Sequence, residues 1–189
     1  MLMSRWEEAI AGIEHARQLD PLSVIINANV GFVYYNARRF DDAIAAEHTA
    51  LDLDANNSVA YEYMGLAYLG KKMYKEAATN LRKAVDLSGG ASESAAELLF
   101  AYAADGNWAE AQKILVSLKD RSRYEYVPSF SLAVAYTGIG DKNRALTYLQ
   151  KAYEERCDLV PTIKVSPLFE SLHSDRRFQN LLGRIGFPS

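Results

Sequence analysis

The sequence predicts an all-α chain, a solenoid of stacked helical hairpins closed by a C-terminal helical cap. Three observations carry that expectation. Tyr34, Tyr68, Tyr102 and Tyr136 recur at one constant interval along the chain. Two small-residue columns keep the same period: Ala43, Ala77, Ala111 and Ala145, then Ala50, Ala84, Leu118 and Ala152. Within each period, two segments of helical apolar spacing are separated by a short break, as in Tyr61, Met64, Gly65 and Tyr68 before Gly70-Lys71-Lys72. Self-similarity at such a period marks repeats that are each too small to bury their apolar face alone.

Taken in order, residues 5–19 place Trp6, Ala9, Ile10, Ile13 and Ala16 on one helical face. Ala9 and Ala16 lie one full period before Ala43 and Ala50, so residues 1–22 read as the second helix of a repeat without its first. The chain is therefore expected to start in mid-repeat, as a fragment of a longer protein or with its open face covered by another chain. Trp6, Ile10 and Ile13 are the candidate self-association residues, which would give a homodimer.

Residues 23–156 read as four hairpins, with helices at 23–36 and 40–53, 58–70 and 74–87, 91–104 and 108–120, and 126–138 and 142–156. Asp105-Gly106-Asn107 and Gly140-Asp141-Lys142 are turn sequences, and Gly89-Gly90 closes a helix. Pro128 is expected in the first turn of its helix. Residues 157–189 leave the period and read as the cap, ending in a helix at about 175–185 with Ser174 as N-cap and Gly186 as stop.

Composition narrows the function. A net charge of −3 argues against nucleic acid, which needs a basic stripe. One cysteine, Cys157, excludes an internal disulfide and any multi-cysteine metal site. His15, His48 and His173 stand on separate elements without metal-ligand spacing and read as solvent-facing. No phosphate loop or nucleophile elbow occurs. No catalytic residue, cofactor site or metal site is expected, and no membrane insertion. The basic pairs Arg38-Arg39, Lys71-Lys72 and Lys119-Asp120-Arg121 read as solvated turn charges.

The spacing of Pro21, Asn27, Val30, Gly31, Tyr34, Ala43 and Ala50, and of Tyr61, Met64, Gly65, Tyr68, Ala77, Leu81 and Ala84, resembles the tetratricopeptide (TPR) repeat over roughly residues 5–156. Leu99 and Ala133 depart from it where the family favours Gly, and Glu47 where a large apolar residue is usual. The resemblance implies a right-handed α-α superhelix. The tail, Lys164-Val165-Ser166-Pro167-Leu168-Phe169 through Ile185-Gly186-Phe187-Pro188, resembles the end of TPR arrays that terminate large bacterial signalling and transcriptional regulators. That second resemblance implies a C-terminal module, cytoplasmic, or periplasmic if the regulator spans a membrane.

In such a superhelix the first helices line a concave groove. The candidate groove residues are Ala28, Asn29, Phe32, Tyr35, Asn36, Glu62, Leu66, Leu69, Glu93, Glu97, Phe100, Phe130 and Val134. Some of these columns alternatively pack hairpin to hairpin or against the tail. The inner columns contain no Lys or Arg, which disfavours capture of an acidic peptide terminus. The partner expected is a protein or peptide, apolar or helical, with basic residues opposite Glu62, Glu93 or Glu97. The function predicted is a non-enzymatic interaction scaffold, with self-association through residues 5–19 as the alternative.

Overall fold

The computed structural model describes residues 2–186, and among them there are helices and turns but no strand. The chain forms two compact units, Met1–Gly90 and Ala91–Ser189. Phe187 and Pro188, the last residues of the tail motif, lie outside the described residues.

The first unit holds α1 (Leu2–Leu19), α2 (Val24–Asn36), α3 (Phe40–Leu53), α4 (Ser58–Gly70) and α5 (Tyr74–Leu87). Local chemistry explains where these helices start. Ser23 caps α2 by accepting from the Ile26 N–H at 3.3 Å. Asn57 caps α4 by accepting from the N–H groups of Val59 and Ala60 at 3.0 and 3.1 Å. The Asn27 amide donates to the carbonyls of Pro21 (3.0 Å) and Ser23 (2.8 Å), tying the α1–α2 turn to α2.

Helix α2 packs on α1, α3 and α4, and α4 on α3 and α5. The alanine columns make this close approach workable: Ala43, Ala50, Ala77 and Ala84 are all fully buried. Glycine is required at two matched positions. A Cβ on Gly65 would lie 2.5 Å from Leu81 Cγ, and one on Gly31 would lie 1.8 Å from Glu47 Oε1. Tyr34 is half-buried and its hydroxyl donates to Glu14 on α1 at 2.8 Å, so here the repeat tyrosine ties one hairpin to the helix before it.

The turns at 37–39 and 71–73 place Arg38 and Lys72 in the left-handed region, both at φ 61°. Gly106 and Gly140 occupy the same repeat position in the second unit, at φ 81° and 79°. The turn geometry thus demands a positive φ at this column whichever residue fills it. The basic residues there also make contacts: Lys71 pairs with Asp41, and the Arg39 guanidinium lies 4.9 Å from the Tyr34 ring centre.

The second unit holds α6 (Ser92–Ala104), α7 (Trp108–Arg121), α8 (Ser129–Gly138) and α9 (Lys142–Glu154). Two 3-10 turns follow at Val160–Thr162 and Pro167–Leu172, then α10 (Arg176–Ile185). Asn107 and Asp141 cap α7 and α9. Helix α8 starts at Ser129 rather than 126, and Pro128 sits at the N-cap with ψ 135°, not in the first turn. A proline disfavours helical backbone in the residue before it, so Val127 cannot continue a helix into Pro128. The N-cap of α10 is Asp175, not Ser174; its carboxylate accepts from the Arg177 N–H at 2.8 Å and also pairs with the Arg177 side chain. Those two bonds to Arg177 hold the Asp175 carboxyl down at about 2. Gly186 stops α10 at φ 98°.

The tail covers the end of the last hairpin, as an atypical terminal unit should. Ile163, Phe169, Leu172 and Phe178 are fully buried. The Pro167–Leu172 turn packs on α8, with the Phe169 ring edge-on to Phe130 at 5.6 Å. His173 is half-buried, not solvent-facing, because its ring stacks on Phe178 at 5.2 Å.

Candidate functional site

The candidate groove residues all lie on the first helix of each hairpin. In the first unit, Ile25, Asn29 and Phe32 share one face of α2 at helical spacing. Helix α4 lies alongside, and Phe32 meets Tyr63 with ring centres 5.0 Å apart. Phe32, Asn29, Glu62 and Tyr63 are each partly exposed. Ile25 is 74% exposed and Val59 43%. Ala28, Tyr35, Asn36, Leu66 and Leu69 are buried and contribute packing. Asn36 donates back to the Phe32 carbonyl at 2.8 Å, and Asn29 to that of Ile25 at 2.8 Å.

In the second unit the same columns are more enclosed. Glu93 and Phe100 keep partial exposure, whereas Glu97, Phe130 and Val134 are buried. Phe130 lies under the tail, and Phe100 lies so close to α8 that a Cβ on Gly138 would come within 2.8 Å of the Phe100 Cα. The open part of this unit's inner side is at the starts of α6 and α8, around Glu93.

Ile25, Val59 and Tyr63 are not among the residues expected from sequence. A signal for two of them is present, since Ile25 and Val59 share one column of the repeat and lie one and two turns before Asn29 and Phe32, or before Tyr63 and Leu66. The columns nearest the tyrosines are the more regular, but those are the columns that the hairpins bury.

The N-terminal candidates lie on α1. Ile10 is buried against the unit, while Trp6 and Ile13 keep partial exposure. Cys157 is half-exposed, and burial followed by the neighbouring Asp158 pushes its thiol up, away from the reactive thiolate.

A tetratricopeptide-repeat family model matches residues 9–160, and the chain belongs to that family. The crystal structure of MamA is similar over 80% of this chain and 88% of that one, with a TM-score of 0.52 and 23% identity. YrrB, described as a TPR protein with an unusual peptide-binding site, is similar over 91% of this chain and 89% of its own, with a TM-score of 0.52 and 18% identity. At these identities the likeness speaks for the fold. No curated protein matches the chain.

Proposed function

We propose that the chain is a non-enzymatic scaffold that binds a peptide or a partner protein on the inner face of its first helices. The observation carrying this reading is the row of apolar side chains left open on α2 and α4. Ile25 and Val59 are 74% and 43% exposed, and the paired rings of Phe32 and Tyr63 are partly open beside them. A contiguous apolar strip flanked by Asn29 and Glu62 suits an amphipathic segment with a basic residue. The resemblance of the tail supports a role as the C-terminal module of a larger bacterial regulator. No described helix is long and apolar enough to cross a membrane, and the cytoplasm is the compartment favoured by this reading. The test is to isolate a partner and compare its affinity for the wild type, for Ile25→Ser with Val59→Ser, and for Phe32→Ala with Phe100→Ala. Weakening of about tenfold or more in a variant with unchanged helicity supports the reading, and unchanged affinity in all of them overturns it.

A second reading, self-association, has its own support. Ala9, Ile13 and Ala16 occupy the columns of Ala43, Glu47 and Ala50, all fully buried in their hairpin, yet in α1 they are partly exposed. Leu19 and Leu22 beside them are each 74% exposed. Light scattering over a range of concentrations distinguishes the two, since a dimer lost in Trp6→Ala or Ile13→Asp requires this face.

A further inference from the structure

The second unit contains a cavity of about 230 Å³ at the meeting of the first turns of α6 and α8 with the end of α9. Glu93, Glu155 and Asp158 line it, Tyr126 and Phe130 supply aromatic surface, and among the described residues no Lys or Arg takes part in its lining. Glu155 is held in place from two sides: the Ser129 hydroxyl donates to Oε1 at 3.0 Å and the Tyr126 hydroxyl to Oε2 at 3.4 Å. Lys151, a turn back on α9, stands 3.7 Å from Glu155 but is itself mostly exposed, so water weakens that pair.

A group of carboxylates alone would read as a solvated surface. Ser131 gives the second, independent sign. It lines the same cavity and is 1% exposed, yet its hydroxyl has no hydrogen-bond partner among the described residues. Buried hydroxyls are ordinarily satisfied, and an orphan in a cavity wall is explained by a group that enters the cavity. The electrostatics agree. Burial and then the charge of Glu155 push the Tyr126 phenol up, with Glu93 adding to it, and Asp158 and Glu155 add to the burial that raises the Cys157 thiol.

We propose that this cavity is a subsite for one arginine side chain of a partner segment. The volume lies below the range of small-molecule pockets, roughly 300–1,000 Å³, and fits a single side chain. Among the described residues no group of His, Cys, Asp and Glu is arranged to hold a metal ion. A planar guanidinium uses both features of the wall, since it pairs with carboxylates through several N–H donors and stacks on aromatic rings. An ammonium can also lie over a ring, but it lacks the planar fork that pairs with carboxylates through two N–H donors while stacking flat. Glu93 follows Val59 by one full period, so within its own unit it holds the repeat position that Val59 holds in the open strip of the first. The inference rests on the scaffold reading.

The experiment is an amide NMR titration of the full chain with the peptide acetyl-Gly-Arg-Gly-amide. The same peptide with citrulline, the same with lysine, and spermidine serve as comparisons. The expected result is shifts confined to residues near 93, 126–131 and 155–159, weakened by salt, strongest for arginine and absent for citrulline. Glu155→Gln and Asp158→Asn, both exposed positions, should each weaken binding by about tenfold without loss of helicity. Equal shifts with citrulline or spermidine, shifts elsewhere, or none at all would overturn the proposal. Its failure is separable from failure of the scaffold reading, because the latter is also tested by Ile25→Ser with Val59→Ser, both in the other unit.

Discussion

Two hairpins of the first unit, α2–α3 and α4–α5, share one repeat register, and at one fully buried position a carboxylate stands where the other has a leucine. In α4–α5, Leu81 fills the space opposite Gly65 and is fully buried. In α2–α3, Glu47 fills the same space opposite Gly31, equally buried, and neither carboxylate oxygen has a hydrogen-bond partner among the described residues. Leu115 and Leu149 hold this column in the second unit. The repeat geometry therefore accepts a side chain of the right length whatever its polarity, and the energetic difference appears in stability rather than in shape. Burial alone, with no opposite charge to offset it, pushes the Glu47 carboxyl up to about 10 from its ordinary 4.5.

The largest expected effect comes from making the two hairpins alike. Glu47→Leu should raise unfolding stability at neutral pH by about 2–3 kcal/mol, since it removes an unsatisfied buried group and supplies the residue that α5 already uses. Urea denaturation checks it, and no change in midpoint would mean that the carboxyl finds a partner in solution.

The proton linkage is a second readout of the same buried carboxyl. The folded chain holds a proton on Glu47 that the unfolded chain releases above about pH 4.5. The stability it contributes is therefore complete below pH 4.5 and is lost as pH rises toward 10. The slope is about 1.4 kcal/mol per pH unit at most. Melts from pH 5 to 9 should show wild type falling and Glu47→Gln much flatter.

A similar loss, about 1–3 kcal/mol, is expected for Gly31→Ala, whose methyl group overlaps Glu47. Glu47→Ala should suppress it, so that the double mutant is more stable than the sum of the single changes predicts. Gly65→Ala sharpens the comparison, because its clash is with Leu81 and Glu47→Ala should leave it untouched.

The smallest effect lies at the turns. Arg38→Gly and Lys72→Gly should each stabilise by about 0.5–1 kcal/mol by relieving a left-handed side chain. Lys72→Gly should gain no less than Arg38→Gly, whose guanidinium also sits 5.7 Å from the Phe40 ring.

Much of the fold is legible because repetition multiplies weak signals. One Tyr or Ala says little, but four in register mark helices α2 to α7 to within about a residue of their ends. Errors fall where one residue's backbone preference outweighs the period, at Pro128 and Asp175. The site is less legible. Ile25 and Val59 stand outside the expected groove columns, and Phe130 and Val134, which belong to those columns, lie buried in the unit that carries the tail. Exposure depends on what packs over a column, and the period contains no record of that.

Repeat length, hairpin pairing, the small-residue columns and the odd carboxyl at Glu47 were all set by sequence alone, because each depends on spacing along one helix or on its immediate caps. Only the tertiary structure decided that Glu47 has no partner among the described residues, that the tail covers Phe130, and that Glu93, Glu155 and Asp158 share one cavity. Those are contacts between elements distant in the chain, and their energies come from desolvation and packing that no local pattern encodes.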